Sequence, residues 1–225
     1  LNALNIDFNL TPKGGVDIIK TLQNNVDAIN GTGALAQINH PNWLWSFAEK
    51  EISRLTGVKL LEIYNFSSNC NNFGAGGYAG MEEVWDRILS KGILMYGVAA
   101  DDAHDYKKGY NPRLSLPGTC WIMVRAESLT PKSILNSMQN GDFYSTTGVV
   151  LKDIQITDME YSIDIEPEKH VKYTTTFIGK DGQILKEVFG LEAVYKFTGD
   201  ELYVRARIYA TSGEFACTQP HFLNK

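Results

Sequence analysis

Asp102 and His104 stand two positions apart in the string Asp101-Asp102-Ala103-His104. On extended backbone, side chains at i and i+2 point to the same side. A carboxylate and an imidazole placed this way could bind one cation or a closely spaced pair, and that donor mixture suits zinc, manganese or iron. His40, in Asn39-His40-Pro41, offers a third donor if it ends a strand at the same rim. The same acidic string, taken alone, also reads as solvated turn acids beside a hydrogen-bonded loop histidine. Position in the fold has to separate the two readings.

The surrounding periodicity supplies those positions. Val16, Ile19, Leu22, Val26 and Ile29 recur near helical spacing and are followed by Gly31 and Gly33 as stop signals. Residues 34–38 form a short apolar run, and Pro41 biases His40 toward extended backbone, which puts His40 at a strand's carboxyl end. Ser46 followed by Glu49 has the form of a capping box opening a second helix that Gly57 ends, and residues 58–64 read as the next strand. Met81, Val84, Trp85, Ile88 and Leu89 mark a third helix, after which residues 93–100 are almost uninterrupted apolar, as in a strand covered on both faces. That strand runs directly into Asp101-Asp102-Ala103-His104. Further on, residues 120–126 read as a strand, Thr130-Pro131 opens a helix that Gly141 closes, and residues 143–147 are extended. Strands and helices that alternate with short connections predict a parallel sheet or barrel, whose functional groups gather at the carboxyl ends of the strands. Residues 66–80, rich in Asn and Gly, read as a surface loop near that rim and a candidate lid.

Beyond Val149 the helical period gives way to short β-rich runs separated by turn signals such as Asp181-Gly182, Gly199-Asp200 and Ser212-Gly213. The pattern predicts a small antiparallel β-sandwich over residues 149–225, after an α/β part over residues 1–148. A chain of 225 residues with 44% hydrophobic content can bury a substantial core. A net charge of -5 argues against a nucleic-acid partner, and no segment is long and apolar enough to span a membrane. Cys70, Cys120 and Cys217 form no CxxC pair and no even framework, so buried free thiols are expected, and they leave the compartment open. The opening Leu1-Asn2-Ala3-Leu4 has neither an initiator methionine nor a charged leader, which suggests a chain that begins inside a longer product.

Four ordered motifs then form a recognisable set: Asn39-His40-Pro41, Leu61-Glu62-Ile63-Tyr64-Asn65, residues 97–104, and Gly141-Asp142-Phe143-Tyr144-Ser145-Thr146-Thr147-Gly148. Together they resemble the later motifs of the PHP family of metal-dependent hydrolases. The branch most similar includes carbamate and ester hydrolases with an appended β domain, in which a terminal segment like residues 213–220 recurs. The resemblance implies part of a distorted (β/α)7 TIM-like barrel over residues 1–148, up to three divalent metal ions in the complete protein, and hydrolysis of phosphate, carbamate or carboxylic esters. It implies His40, Asp102 and His104 as metal ligands, the last two also catalytic, with Asp101 and Asn39 supporting them. The family's early ligand motifs have no counterpart here. This chain would therefore carry part of the site, and a missing amino-terminal barrel segment or a second chain would cover the rest. Glu62 invites a ligand or general-base assignment, although the corresponding family position is supportive.

Tyr106, Lys107, Lys108 and Arg113 follow the acidic string and either hold a substrate anion or form a solvated loop. Trp43 and Trp45 either wall the pocket or pack beneath the rim. The expected activity is metal-assisted hydrolysis of a small-molecule ester. The alternative is a non-catalytic protein whose β domain recognises a polymer or partner through exposed Tyr161, Tyr173, Tyr195, Phe197 and Tyr203. Burial of these aromatics in the sandwich core is the competing expectation.

Overall fold

The computed structural model describes residues 1–104, 106, 107 and 115–223. It corrects the barrel. Among the described residues there are four α-helices and fourteen strands in three sheets, so the chain is mostly β and no ring of helices surrounds a barrel.

The first sheet is the part that resembles an α/β unit. β2 (Leu35–Ile38), β3 (Leu60–Asn65) and β4 (Tyr96–Ala100) are parallel neighbours, and β1 (Asn2–Leu4) pairs antiparallel with β2 at the edge. α1 (Ile18–Asn30) precedes β2, α2 (Glu49–Ile52) joins β2 to β3, and α3 (Met81–Leu89) joins β3 to β4. Asp17 caps α1 by accepting the Lys20 N–H at 2.7 Å. The Ser46–Glu49 capping box does not form. Ser46 instead turns its hydroxyl back to the Trp43 carbonyl at 2.6 Å, and α2 starts later, where the Glu51 carboxylate accepts the Ala48 N–H at 3.0 Å.

The parallel sheet ends at β4, where side chains occupy the edge at which another parallel strand would pair. The Gln219 amide accepts the Gly97 N–H at 2.7 Å and donates to the Gly97 carbonyl at 2.9 Å, while the Ser145 hydroxyl donates to that carbonyl at 2.8 Å. These bonds satisfy buried backbone groups that a strand would otherwise have to satisfy. Gly97 is required there: a Cβ would lie 2.7 Å from Ile63 Cδ1 and 2.9 Å from the Trp85 ring.

β5 (Trp121–Val124) and β6 (Phe143–Thr146), expected to continue a parallel sheet, pair antiparallel with each other although α4 (Pro131–Asn140) lies between them. Thr130 and Gly141 bound α4 as the sequence predicts, with Gly141 left-handed at φ 79°. β5 and β6 then enter a seven-stranded antiparallel sheet with β9 (Tyr173–Ile178), β10 (Ile184–Phe189), β12 (Tyr203–Ala210), β13 (Phe215–Thr218) and β14 (His221–Phe222). The expected boundary at 148–149 falls between adjacent strands, and this sheet takes strands from both sides of it.

β7 (Leu151–Ile156), β8 (Glu160–Ile165) and β11 (Glu192–Lys196) make the third sheet, also antiparallel. It shares an apolar core with the seven-stranded sheet, centred on Tyr161, Phe177, Val204 and Ile208. A separate core under the parallel sheet joins Ile38, Leu61 and Trp85 to Tyr203, Phe215 and Cys217 from the far end of the chain.

Candidate functional site

Because β2, β3 and β4 run parallel, the residues that follow β2 and β4 share one rim, with β3 between them. His40 follows β2 and Asp102 follows β4. Both backbones are left-handed there, at φ 25° for His40 and 49° for Asp102. Non-glycine residues rarely adopt this conformation, and it concentrates at functional turns where neighbours hold it in place.

Glu62 on β3 lies at the centre of the rim. Its side chain is only 2% exposed, and Oε1 accepts the His40 N–H and the Asn65 side-chain amide, each at 2.9 Å. On a regular strand, residues 62 and 65 would face opposite ways. A register shift between Glu62 and Tyr64 brings them together. Burial pushes the Glu62 carboxyl up, bonds from Asn65 and His40 pull it back, the nearby Asp102 charge raises it further, and the result is about 7. A carboxyl balanced there exchanges a proton near neutral pH. Sequence reading raised Glu62 as a ligand or general base, with a supporting part as the family's alternative, and missed Asn65 as its partner, because the bulge leaves no mark in a single sequence.

The thiols of Cys70 and Cys120 belong to the same neighbourhood. Burial raises both, Cys70 to about 12, and the carboxylates of Glu62, Asp102 and Asp101 add to the rise. Held as neutral thiols, they are poor nucleophiles and poor metal donors. All three cysteines are free and buried.

The remaining residues singled out from sequence are partly committed elsewhere. Asp101 Oδ2 accepts the Gly118 N–H at 2.7 Å, and Asn39 Oδ1 accepts from the Gln37 amide at 3.3 Å. The His104 side chain is 71% exposed, with Nδ1 3.9 Å from Asp102 Oδ1 and 2.5 Å from the Asp102 carbonyl oxygen. The His40 ring meets Trp43 edge-on at 5.8 Å. Tyr106 and Lys107 face solvent, while Lys108 and Arg113 lie outside the described residues.

Carboxylate and imidazole donors at one rim are the right chemical types for a borderline divalent cation. Among the described residues, however, no three His, Cys, Asp or Glu side chains converge as ligands. The donor types fit such an ion; their number does not complete its shell.

Residues 66–80 cover this end of β3. Asn72 exchanges hydrogen bonds with the Asn65 backbone at 2.9 and 2.7 Å, and a cavity of about 170 Å³ lies between the loop, Tyr64, Glu82, Arg207 and Phe215. A larger cavity of about 610 Å³ opens at the other end of β4, between Leu94, Tyr96, Phe143, Leu151 and Phe222. The ionisable chemistry and this larger cavity therefore lie at opposite ends of β4. The rim carries the perturbed carboxyl, the strained turns and the donor residues, so we take it as the candidate site. In the β part, Tyr161, Tyr173, Tyr195 and Tyr203 are buried and do not form an exposed platform. No helix among the described residues is long and apolar enough to cross a membrane. Comparison with protein-family models, with curated proteins and with solved structures returns no match.

Proposed function

We propose that the rim formed by the ends of β2, β3 and β4 belongs to a metal-dependent hydrolase of phosphate esters or of carbamate or carboxylic esters. His40, Asp102 and His104 would hold a divalent ion, together with donors beyond the described residues. The observation that carries the reading is Glu62: a buried carboxyl at about 7, in contact with one candidate ligand and in the field of another. The resemblance of the four sequence motifs to PHP-type hydrolases supports the same assignment.

A divalent cation would supply Lewis acidity, lowering the pKa of water toward about 7. The chain's own contribution is proton handling and positioning. Glu62 accepts a proton at Oε1 or Oε2, and the Asn65 amide and His40 N–H fix its orientation. Asp102 adds a carboxylate to the rim, with the exposed His104 imidazole beside it.

Calorimetric titration with zinc and manganese, paired with para-nitrophenyl phosphate turnover, tests the assignment. Weak metal binding that Asp102→Ala or His40→Ala abolishes is the expected result. Metal binding unchanged in both variants would remove the assignment. Turnover by this chain that His104→Ala abolishes would show that the site is already complete within it.

A further inference from the structure

The seven-stranded sheet ends at β5 and the third sheet ends at β7, and both terminal strands line the cavity of about 610 Å³. Among the described residues, β7 pairs only with β8. The Thr157 N–H donates to the Glu160 carbonyl at 3.0 Å, which sets the alternation along this hairpin: Asp153 and Gln155 turn their backbone groups toward β8, whereas Ile154 and Ile156 turn theirs to the open side. An edge of this kind is a template for a further strand.

Two side chains stand where that strand would lie. Asp153 Oδ1 accepts the Ile154 N–H at 2.9 Å, and Arg125 Nη2, reaching across from β5, donates to the Ile154 carbonyl at 3.1 Å and to Asp153 Oδ1 at 2.8 Å. Both open-side groups of Ile154 are thus taken up, one by each member of the ion pair. The Gln155 amide steadies the carboxylate in turn, donating to Oδ2 at 2.6 Å. Stability does not account for the arrangement, because the two side chains are 65% and 40% exposed and ion pairs in water contribute little. Its effect is to close an edge.

The strand that fits this edge is β7 of a second copy. In an antiparallel pairing of two β7 strands about a two-fold axis at Gln155, Ile154 of each copy lies opposite Ile156 of the other with their open-side backbone groups aligned, and Lys152 lies opposite Asp158. Apolar side chains then meet apolar ones and a cation meets an anion, so the edge is self-complementary. Asp158 is exposed, and Lys152 reaches its present partner, Asp164, only at 3.5 Å. Ile156 and the neighbouring Met123 are 41% and 40% exposed, which leaves apolar surface for such a pairing to bury. We propose that Arg125 and Asp153 form a clip that keeps β7 from adding the β7 strand of a second copy, and that this edge is the self-association surface uncovered when the clip is lost. The proposal is independent of the hydrolytic reading.

Sedimentation velocity over a concentration series, with amide exchange read at Ile156, tests the clip. The double variant Arg125→Ala, Asp153→Ala should self-associate about tenfold more tightly than the parent chain. Its Ile156 amide, on the open side, should exchange more slowly as concentration rises. Adding Ile156→Pro removes that N–H without touching a β7–β8 hydrogen bond, so association should return to the parental level. Asp153→Asn keeps an acceptor for the Ile154 N–H but loses the charge that holds Arg125, and this milder variant should show a smaller rise of the same kind. Unchanged association in both clip variants overturns the proposal. Association that Ile156→Pro leaves intact, or that brings no protection to Ile156, overturns it too, because another surface is then in use. An Ile156 amide already protected in dilute parent chain would show an edge covered by something other than the clip, with the same consequence.

Discussion

At the scale of single residues, Glu62 couples stability to pH. Its folded carboxyl, near 7, lies above the ordinary value of 4.5, so the folded chain binds the extra proton between those values. Its stabilising contribution is complete below pH 4.5 and is lost as pH rises through 7, at a cost of roughly 3 kcal/mol by pH 8. Glu62→Gln keeps an acceptor for His40 and Asn65 and carries no charge. Urea unfolding of that variant should therefore be nearly flat in this window and show higher stability than the parent at pH 8. A parent curve that is already flat would refute the assigned shift. Leu44 gives a second residue-scale expectation. It is 71% exposed and left-handed, a conformation that costs an L-residue about 1 to 2 kcal/mol. Against the backbone entropy of glycine, Leu44→Gly should leave a gain of about 0.5 kcal/mol. Thermal unfolding would show it as a small rise in Tm.

At the scale of elements, α3 is bolted to β12 by buried charge. Arg205 is 1% exposed; its guanidinium donates to both Asp86 oxygens at 2.8 and 2.6 Å and to Glu82 at 3.1 Å, and it stacks over Trp85 at 4.8 Å. Tyr203 adds its hydroxyl to Asp86 at 2.8 Å. Removing one partner strands a buried cation, so Asp86→Ala should cost about 3 to 5 kcal/mol, and replacing both members with apolar residues should cost much less than the sum of the single changes. A double-mutant cycle in denaturant measures this coupling. The turn between β11 and β12 depends on acid in the opposite sense from Glu62. Burial disfavours the Glu201 carboxylate, but the Tyr195 hydroxyl and the Thr198 N–H and hydroxyl outweigh it and hold the group down at about 2. Its contribution is present above 4.5 and lost as pH falls through about 2, so Glu201→Gln should lower neutral-pH stability by about 2 kcal/mol and blunt acid unfolding.

At the scale of the whole molecule, the 148–149 connection is not a line along which the chain can be cut. The seven-stranded sheet crosses it, Arg205 finds its carboxylates on α3, and Phe215 and Cys217 complete the core under the parallel sheet. Residues 149–225 expressed alone would expose the β13 edge that β6 covers and leave Arg205 unpaired in an apolar setting. That segment should lack a cooperative unfolding transition, whereas the whole chain should unfold with one. Sharp, cooperative melting of the segment would contradict the shared-core arrangement.

The amino-acid sequence by itself determined the kinds of element and many of their ends. Gly141 stops α4, Thr130 starts it, and the apolar runs before Asn39 and Asp101 are strands, because capping chemistry and side-chain period are local properties. It also placed His40 and Asp102 at strand ends. Only tertiary structure decided which way the strands run. An intervening helix at α4 reads as a parallel crossover, yet β5 and β6 pair antiparallel, and the Gln219 and Ser145 side chains occupy the β4 edge from 122 and 48 positions away. The same holds at the candidate site. The bulge that turns Asn65 toward Glu62, and the burial that raises that carboxyl, come from packing against residues distant in sequence, so their effect on chemistry exists only once the chain is folded.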